Sequence, residues 1–306
     1  MAEGRQHAGA EPHRTCIEHA STASTHTGRM RQSSTQPPVD RGNIAVVIPA
    51  LNEILSIRAV VENALLHCDH VIVVDDGSDD GTAKAIADLG ITVLQHTTPL
   101  GKGASLRDGF REAARLGMHG VLTMDGDGQH NADDIPRLLD AANRHPGDVI
   151  VGARLRNRAS QPVHRRLGND FGDWGISWAC GFRITDSQSG QRFYPEKVYT
   201  LDDVPGEGFV FEAQLLISAA RRANAGVIAV PIETRYANDD QPREFRKSHF
   251  RLVRDLWCIT SHVVAQVWHH GNVVDEYLRT RERPPVIDDP VHASSCAAPV
   301  MHAREA

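Results

Sequence analysis

The sequence predicts an α/β fold: a mostly parallel sheet with helices on both faces. Two observations carry this. Five short apolar runs, at 44–48, 70–74, 91–95, 121–124 and 148–152, alternate with segments of helical periodicity, at the spacing of right-handed β-α-β units. The first of them, Ile44-Ala45-Val46-Val47-Ile48, is continuously apolar and β-branched, as a parallel strand buried on both faces should be.

In chain order, the first strand turns out through Pro49-Ala50-Leu51-Asn52-Glu53 into a helix over Ile54 to Leu66. The second strand, His70 to Val74, ends in Asp75-Asp76-Gly77-Ser78 and leads to a helix over Thr82 to Leu89. The third strand, Ile91 to Gln95, is followed by Gly101-Lys102-Gly103, which opens a helix over Ala104 to Leu116. The fourth strand, Val121 to Met124, stops at Asp125-Gly126-Asp127-Gly128-Gln129-His130. Asn131 then caps a helix to Asn143, with acids at 133 and 134 in its first turn. Asp148 to Gly152 is the fifth strand.

Beyond Arg154 the pattern changes. A helix over Gln161 to Phe182 begins with His164, Arg165 and Arg166 and turns apolar and aromatic. A polar turn, 185–192, a helix from Phe211 to Ala223, and strands Val227 to Val230 and Ile232 to Tyr236 follow. Arg246-Lys247-Ser248-His249 precedes a long amphipathic helix to about His269. Residues 1–42 are rich in Ser, Thr, His, Gly and Pro and predict a disordered leader. Residues 279–306, dominated by Pro, Arg, Asp and Ala, predict a disordered tail. The folded domain is therefore expected over 43–270.

Composition narrows the function. A net charge of −6 over 306 residues argues against a general nucleic-acid binder. The five cysteines are scattered with no CxxC spacing, so neither a zinc site nor a disulfide framework is indicated and a reducing compartment is expected. There is no apolar run long enough to span a bilayer and no secretory signal, which predicts a cytoplasmic protein, at most peripheral on a membrane face. Basic residues at 164–166 with Trp174, Trp178, Trp257 and Trp268 are the combination that binds lipid interfaces, although tryptophans are more often core.

The chemistry is concentrated at the ends of the strands, where open α/β sheets hold ligands. In an extended segment Asp125, Asp127 and Gln129 point the same way and can converge on one hard cation, Mg²⁺ or Mn²⁺, completed by water and phosphate oxygens. The bland alternative is an Asp-Gly turn ending a strand. An EF-hand is excluded because its sixth position would be His130 and its twelfth Pro136. Gly101-Lys102-Gly103 is not a Walker loop, since His96 stands where the first glycine belongs and Gly103 follows the lysine. Neither 101–106 nor 126–131 completes a dinucleotide fingerprint.

Four motifs in register, Pro49-Ala50-Leu51-Asn52-Glu53, Val74 to Thr82, Gly101-Lys102-Gly103 and Asp125 to His130, resemble the family 2 glycosyltransferases of the GT-A fold. The Gln129-His130 extension and Asp186-Ser187-Gln188-Ser189-Gly190-Gln191-Arg192 are similar to the dolichyl/polyprenyl-phosphate sugar synthases within that family. The resemblance covers about 44–255. It implies a Rossmann-like GT-A sheet with a nucleotide-sugar half, 43–153, and an acceptor half, 154–270. It also implies a metal-dependent, inverting transfer from a UDP- or GDP-linked sugar to a lipid-linked acceptor.

By the same resemblance Pro49 and Glu53 line the nucleotide pocket, and Asp75 and Asp76 contact base and ribose, with Gly77 allowing close approach. Lys102 lies near the diphosphate. Asp125, Asp127 and Gln129 hold the divalent ion, and Arg154, Arg165 and Arg192 receive an acceptor phosphate. Two departures fall on the acceptor side: Asn169 where the family often has Ser, and Gly190-Gln191-Arg192 where it has Gly-Phe-Arg. A phosphate acceptor needs no general base, whereas a hydroxyl acceptor does, and Asp186 is the candidate. The alternatives are transfer to a hydroxylated lipid or small molecule, a sugar nucleotidyltransferase, and an inactive nucleotide-sugar binding module.

Overall fold

Eight strands form one sheet in the order β3-β2-β1-β4-β6-β5-β7-β8. They are β1 (Ile44–Ala50), β2 (His70–Asp75), β3 (Thr92–Gln95), β4 (Gly120–Thr123), β5 (Val149–Ala153), β6 (Arg192–Pro195), β7 (Val227–Pro231) and β8 (Val286–Ile287). The structure, a computed structural model, describes residues 37–156, 163–233 and 273–290, with the backbone alone at 163–167, 209, 273 and 276. All of them lie within one unit, 35–306. Every strand pair is parallel except those made by β6, which runs antiparallel between β4 and β5.

Alternation along β1 divides the core in two. Ala45 and Val47 face a layer containing α2 (Lys102–Arg115), α4 (Val163–Cys180) and α6 (Phe209–Arg221). Ile44, Val46 and Ile48 face the opposite layer of α1 (Ile57–Leu65) and α3 (Ile135–Arg144). Helices thus cover both faces, which is why the strands read as unbroken apolar runs. A short α5 (Glu196–Tyr199) follows β6. The close fit of α2 on β1 needs a glycine: a Cβ at Gly109 would lie 2.4 Å from Val47 Cγ1.

Several expected elements differ. The helix expected over Thr82 to Leu89 is only a 3₁₀ turn, Lys84–Ile86. Thr82 is held by Asp80, which accepts from its backbone N–H at 2.9 Å and its hydroxyl at 2.6 Å, so too few residues remain to nucleate an α-helix. The helix after Asn131 starts as a 3₁₀ turn, Ala132–Asp134, capped by the Asn131 side chain as expected, and continues as α3. Ile232 and Glu233 lie outside any strand, and 234–236 and the helix expected up to His269 lie outside the described residues.

The boundaries of the folded part also move. Residues 279–290 are not a disordered tail: α7 (Val273–Glu282) runs through Arg279, and β8 extends the sheet beside β7. Asp288, just after β8, meets Arg144 Nε at 2.9 Å and His145 Nε2 at 3.0 Å. At the other end, Val39 exchanges two hydrogen bonds of 2.8 and 2.9 Å with the Asn143 side chain, so the last residues of the expected leader dock on α3. Residues 1–36 and 291–306 lie outside the described residues.

Candidate active site

The strand order reverses at β1, with β2 on one side and β4 on the other, and the site forms where these three parallel strands end. The loop after β1 is locked to both neighbours. Asn52, at φ +56°, donates its N–H to Ser78 Oγ (2.7 Å) and accepts from Asp79 N at Oδ1 (2.9 Å). Glu53 N donates to Thr82 Oγ1 (2.8 Å), and Ser56 Oγ donates to the Gly126 carbonyl (2.7 Å). Pro49 and Glu53 therefore sit beside the Asp125–His130 loop. A Cβ on Gly126 would lie 3.4 Å from Pro49 O and 3.5 Å from Glu53 Cγ.

Asp125 is the centre of the charge arrangement. Lys102 Nζ, at the first turn of α2, lies 2.6 Å from Asp125 Oδ1 and 3.1 Å from Glu212 Oε2 on α6. His130 accepts the Asp125 N–H at Nδ1 (3.1 Å), which leaves Nε2 turned toward Asp125 Oδ2 at 4.0 Å. Burial alone would raise the Asp125 carboxyl, but Lys102 and His130 outweigh it and hold it below the usual carboxylate range. Burial would likewise lower the Lys102 ammonium, and the two acids hold it above its ordinary value. Asp127 differs: burial and the charge of Asp125 push its carboxyl up. Its Oδ1 accepts from Gln129 N at 3.0 Å, and Gln129 is exposed.

On the expected base and ribose side the structure alters the picture. Asp75 Oδ1 accepts from Ser78 N (3.0 Å). Asp76, 3% exposed, accepts from Leu100 N (2.8 Å), Gly101 N (2.7 Å) and His96 Nδ1 (2.7 Å), so its carboxylate secures the loop ahead of Lys102 rather than standing ready for a ribose. Gly77 does allow a close approach, of the chain to itself. At φ +78°, its missing Cβ would lie 2.8 Å from the Thr98 carbonyl carbon.

The acceptor-side residues are only partly assembled as expected. Asp186, at φ +53°, accepts from Arg154 N (2.6 Å), Nε (2.9 Å) and Nη2 (2.5 Å). Both of its oxygens are committed, and as a general base it would first have to leave Arg154. Arg192 is the clear correction. It is 1% exposed and donates to the carbonyls of Ser187 (2.6 Å), Ser189 (2.6 Å) and Glu212 (3.2 Å) and to Tyr194 Oη (3.1 Å). Its guanidinium thus organises the 186–192 turn from below instead of facing a phosphate. Arg165 lies in α4, where the backbone alone is described.

Three participants escaped the sequence reading. Glu212 is the second acid on Lys102; its signal was a lone charge in the apolar run from Phe209 to Ile217. Asp173 on α4 accepts from Asp186 N (2.8 Å), Ser187 N (2.7 Å) and Ser187 Oγ (2.6 Å), and burial pushes its carboxyl up to about 6 despite these bonds. His96 bridges Asp76 and Asp108. No local pattern announces the last two.

For a divalent ion the chain offers Asp125 and Asp127. No group of three or more His, Cys, Asp or Glu side chains that could cage a metal is present among the described residues. Two carboxylates fit an ion that keeps waters and takes further oxygens from a diphosphate, as Mg²⁺ does. The raised Asp127 carboxyl beside ionised Asp125 marks a place where added positive charge would be stabilised.

Comparison with known proteins agrees with this geometry. The family model for Glycosyl transferase family 2 matches residues 45–193. A UDP-N-acetylglucosamine–dolichyl-phosphate N-acetylglucosaminyltransferase of Methanococcus voltae is 29% identical over 65% of this chain and 88% of its own. An undecaprenyl-phosphate mannosyltransferase of Micrococcus luteus is 30% identical over 62% of this chain and 82% of its own. Among solved structures, glucosyl-3-phosphoglycerate synthase of Mycobacterium tuberculosis, crystallised with Mn²⁺, uridine diphosphate and glucosyl-3-phosphoglycerate, matches in fold. The TM-score is 0.51 at 24% identity, over 74% of this chain and 79% of that one. With its reversed strand order, its paired acids at the end of β4 and these relatives, the chain is a GT-A glycosyltransferase and belongs to glycosyl transferase family 2.

Proposed function

We propose that this glycosyltransferase moves a sugar from a nucleoside-diphosphate sugar, UDP- or GDP-linked, to a polyprenyl phosphate, with inversion at the anomeric carbon and with Mg²⁺ or Mn²⁺. The observation that carries the reading is the contact of Lys102 Nζ with Asp125 Oδ1 at 2.6 Å, next to Asp127. A fixed cation and a carboxylate pair side by side are what a diphosphate and its counter-ion require. The names of the two curated relatives, one a dolichyl-phosphate and the other an undecaprenyl-phosphate enzyme, support the acceptor class.

In this reading Asp125, Asp127 and Gln129 hold the divalent ion, and Pro49, Glu53 and Asp75 line the nucleotide. The bound ion supplies neutralisation of the charge that develops on the departing nucleoside diphosphate. Lys102 turns from Asp125 toward the diphosphate oxygens, and Glu212 keeps it in reach. An acceptor phosphate oxygen forms the new bond to the anomeric carbon from the face opposite the leaving group. The old bond to the β-phosphate breaks, and its electron pair leaves with the nucleoside diphosphate. Such a phosphate brings no proton that must be removed, which suits a site where both Asp186 oxygens are engaged by Arg154. Arg154 and Arg165 are the acceptor-side cations, residues 43–153 the donor half and 154–270 the acceptor half.

The acceptor class also implies a lipid surface. No helix among the described residues is long and apolar enough to cross a membrane. Phe171 and Trp174 on α4, and Val274 and Leu278 on α7, are large apolar side chains exposed by 46, 46, 62 and 50%. Trp174 and Trp178 pack on Tyr277, with the Arg281 guanidinium over that ring, so aromatic and basic groups lie together. This composition supports peripheral contact with a bilayer.

The deciding experiment incubates the protein with UDP- and GDP-sugars, with and without Mn²⁺, and offers a polyprenyl phosphate or the matching polyprenol. A glycosyl phosphate lipid of inverted configuration, formed only with metal, is expected. Equal turnover of the polyprenol would overturn the phosphate acceptor, and undiminished turnover in excess EDTA would overturn the metal.

A further inference from the structure

We propose that His96 is a positioning residue of the donor site: as an imidazolium it ties Asp76 to Asp108 and so fixes the 97–101 connection that carries Lys102. The geometry requires the charged form. His96 Nδ1 lies 2.7 Å from Asp76 Oδ1, and Nε2 lies 3.0 Å from Asp108 Oδ2. Ionised carboxylates only accept hydrogen bonds, and a neutral imidazole has one N–H, so both contacts are satisfied only when both ring nitrogens are protonated. The ring is 10% exposed, and water is a poor substitute for either partner.

What the imidazolium holds is the approach to Lys102. The same Asp76 carboxylate accepts from Leu100 N and Gly101 N, the two residues before Lys102. The connection is pressed on its other side against Gly77, where a Cβ would lie 2.8 Å from the Thr98 carbonyl carbon. His96 N itself is bonded to Asp75 O at 2.9 Å. The charged groups facing the ring are Asp76 from the end of β2 and Asp108 from α2. Arg111, one turn further along α2, holds the other Asp108 oxygen at 2.5 Å. Loss of the proton would set a lone pair against one carboxylate and release either the connection or α2.

The consequence is a pH-dependent donor site. Burial alone would lower the His96 value, but the hydrogen bonds to Asp76 and Asp108 outweigh it and raise it. A folded-state value above the ordinary one, about 6.5, means that the link is complete below about pH 6.5 and is lost as pH rises through the folded value. Lys102 should be held firmly below about pH 6.5 and loosen as pH rises through the folded value of His96.

The effect on donor binding rests on the proposed function, whereas the effect on Lys102 does not, and the test separates them. Imidazole ¹⁵N spectra of the full chain follow His96. Acylation of the Lys102 amine, relative to that of the exposed Lys84, follows the connection. Both are measured against pH in the natural protein, in Asp108→Asn and in His96→Gln. Expected are two protonated His96 nitrogens at about pH 6 and a step in the Lys102/Lys84 ratio as His96 titrates. That step should move to lower pH in Asp108→Asn and vanish in His96→Gln. The KM for the UDP- or GDP-sugar should rise over the same interval while kcat changes little. A neutral His96 tautomer at about pH 6, or a Lys102/Lys84 ratio without a step that follows Asp108→Asn, overturns the proposal. If His96 and Lys102 behave as stated but neither nucleotide sugar protects Lys102 from acylation, the donor reading falls and the positioning role stands.

Discussion

Lys102 Nζ stands 3.1 Å from Glu212 Oε2, a contact between the first turn of α2 and the first turn of α6 that completes a lysine held by two acids. Glu212 would also keep the lysine charged if Asp125 turned to another cation. Lys102→Met should therefore weaken binding of the nucleoside-diphosphate sugar roughly ten- to a hundredfold, the value of one or two charge-assisted hydrogen bonds. Glu212→Gln should weaken it less and leave kcat within a few-fold. Calorimetric titration with the nucleoside diphosphate measures both. Unchanged affinity in Lys102→Met would remove the lysine from the diphosphate.

Asp127 tests the metal separately from the lysine. Its carboxyl is raised by burial and by the Asp125 charge, so an amide in its place relieves repulsion and should not harm the fold. Asp127→Asn should keep or slightly raise the melting temperature, abolish transfer, and remove most of the Mn²⁺-dependent gain in thermal stability with nucleotide. Full activity in this variant would end the metal role.

Residues 43–153 were legible because their signals are local. Continuous apolar strands, glycine-flanked acids and a helix-opening lysine each occupy a few adjacent residues, and the parallel order follows from their alternation. The rest depends on distant pairing. Nothing near Arg192-Phe193-Tyr194-Pro195 marks a strand, which forms because the chain returns antiparallel to β4 and pairs Thr123 with Arg192. Arg192 is assigned to an acceptor phosphate by the resemblance alone, and its carbonyl partners lie in a turn whose shape it helps to create. The tail's composition reads as loop, yet β8 needs only two residues on a sheet edge and Asp288 behind them. His96 and Asp76 are twenty positions apart, beyond any helix or strand period.

Arg192 now carries a prediction different from that of a phosphate receptor. Arg192→Ala would leave the carbonyls of Ser187, Ser189 and Glu212 buried without their donor. Loss of a buried, hydrogen-bonded charge costs about 3–5 kcal/mol, enough to lower the denaturation midpoint steeply and to loosen the Asp186 turn. Arg192→Lys should recover little, since an ammonium cannot reach all four acceptors from one place. Arg154→Ala should also lower stability, because it leaves the buried Asp186 carboxylate without its guanidinium, and should in addition raise the KM for the acceptor. A stable Arg192→Ala protein with only a raised acceptor KM would return Arg192 to the acceptor site.

Gly190 offers the sharpest separation of fold from function. Thr123 Oγ1 donates to its carbonyl at 2.8 Å, which brings the 186–192 turn against the end of β4. A Cβ at Gly190 would lie 2.5 Å from Asp125 Oδ2 and 3.0 Å from its Cγ, closer than such atoms approach. What must give is the end of the Asp125 side chain rather than the backbone, so the fold should survive with a change in midpoint of about 1 kcal/mol or less. The displaced carboxylate, however, loses its line to Lys102 and to any shared cation. Gly190→Ala should therefore cut transfer by roughly ten- to a hundredfold, because misplacement by about 1 Å at the reacting centre costs that much. Mn²⁺ affinity in the presence of nucleotide should fall in parallel. Serial dilution of Mn²⁺ against activity and against thermal stability checks both. If Gly190→Ala unfolds the protein while Thr123→Val does not, the turn rather than Asp125 is what the glycine protects.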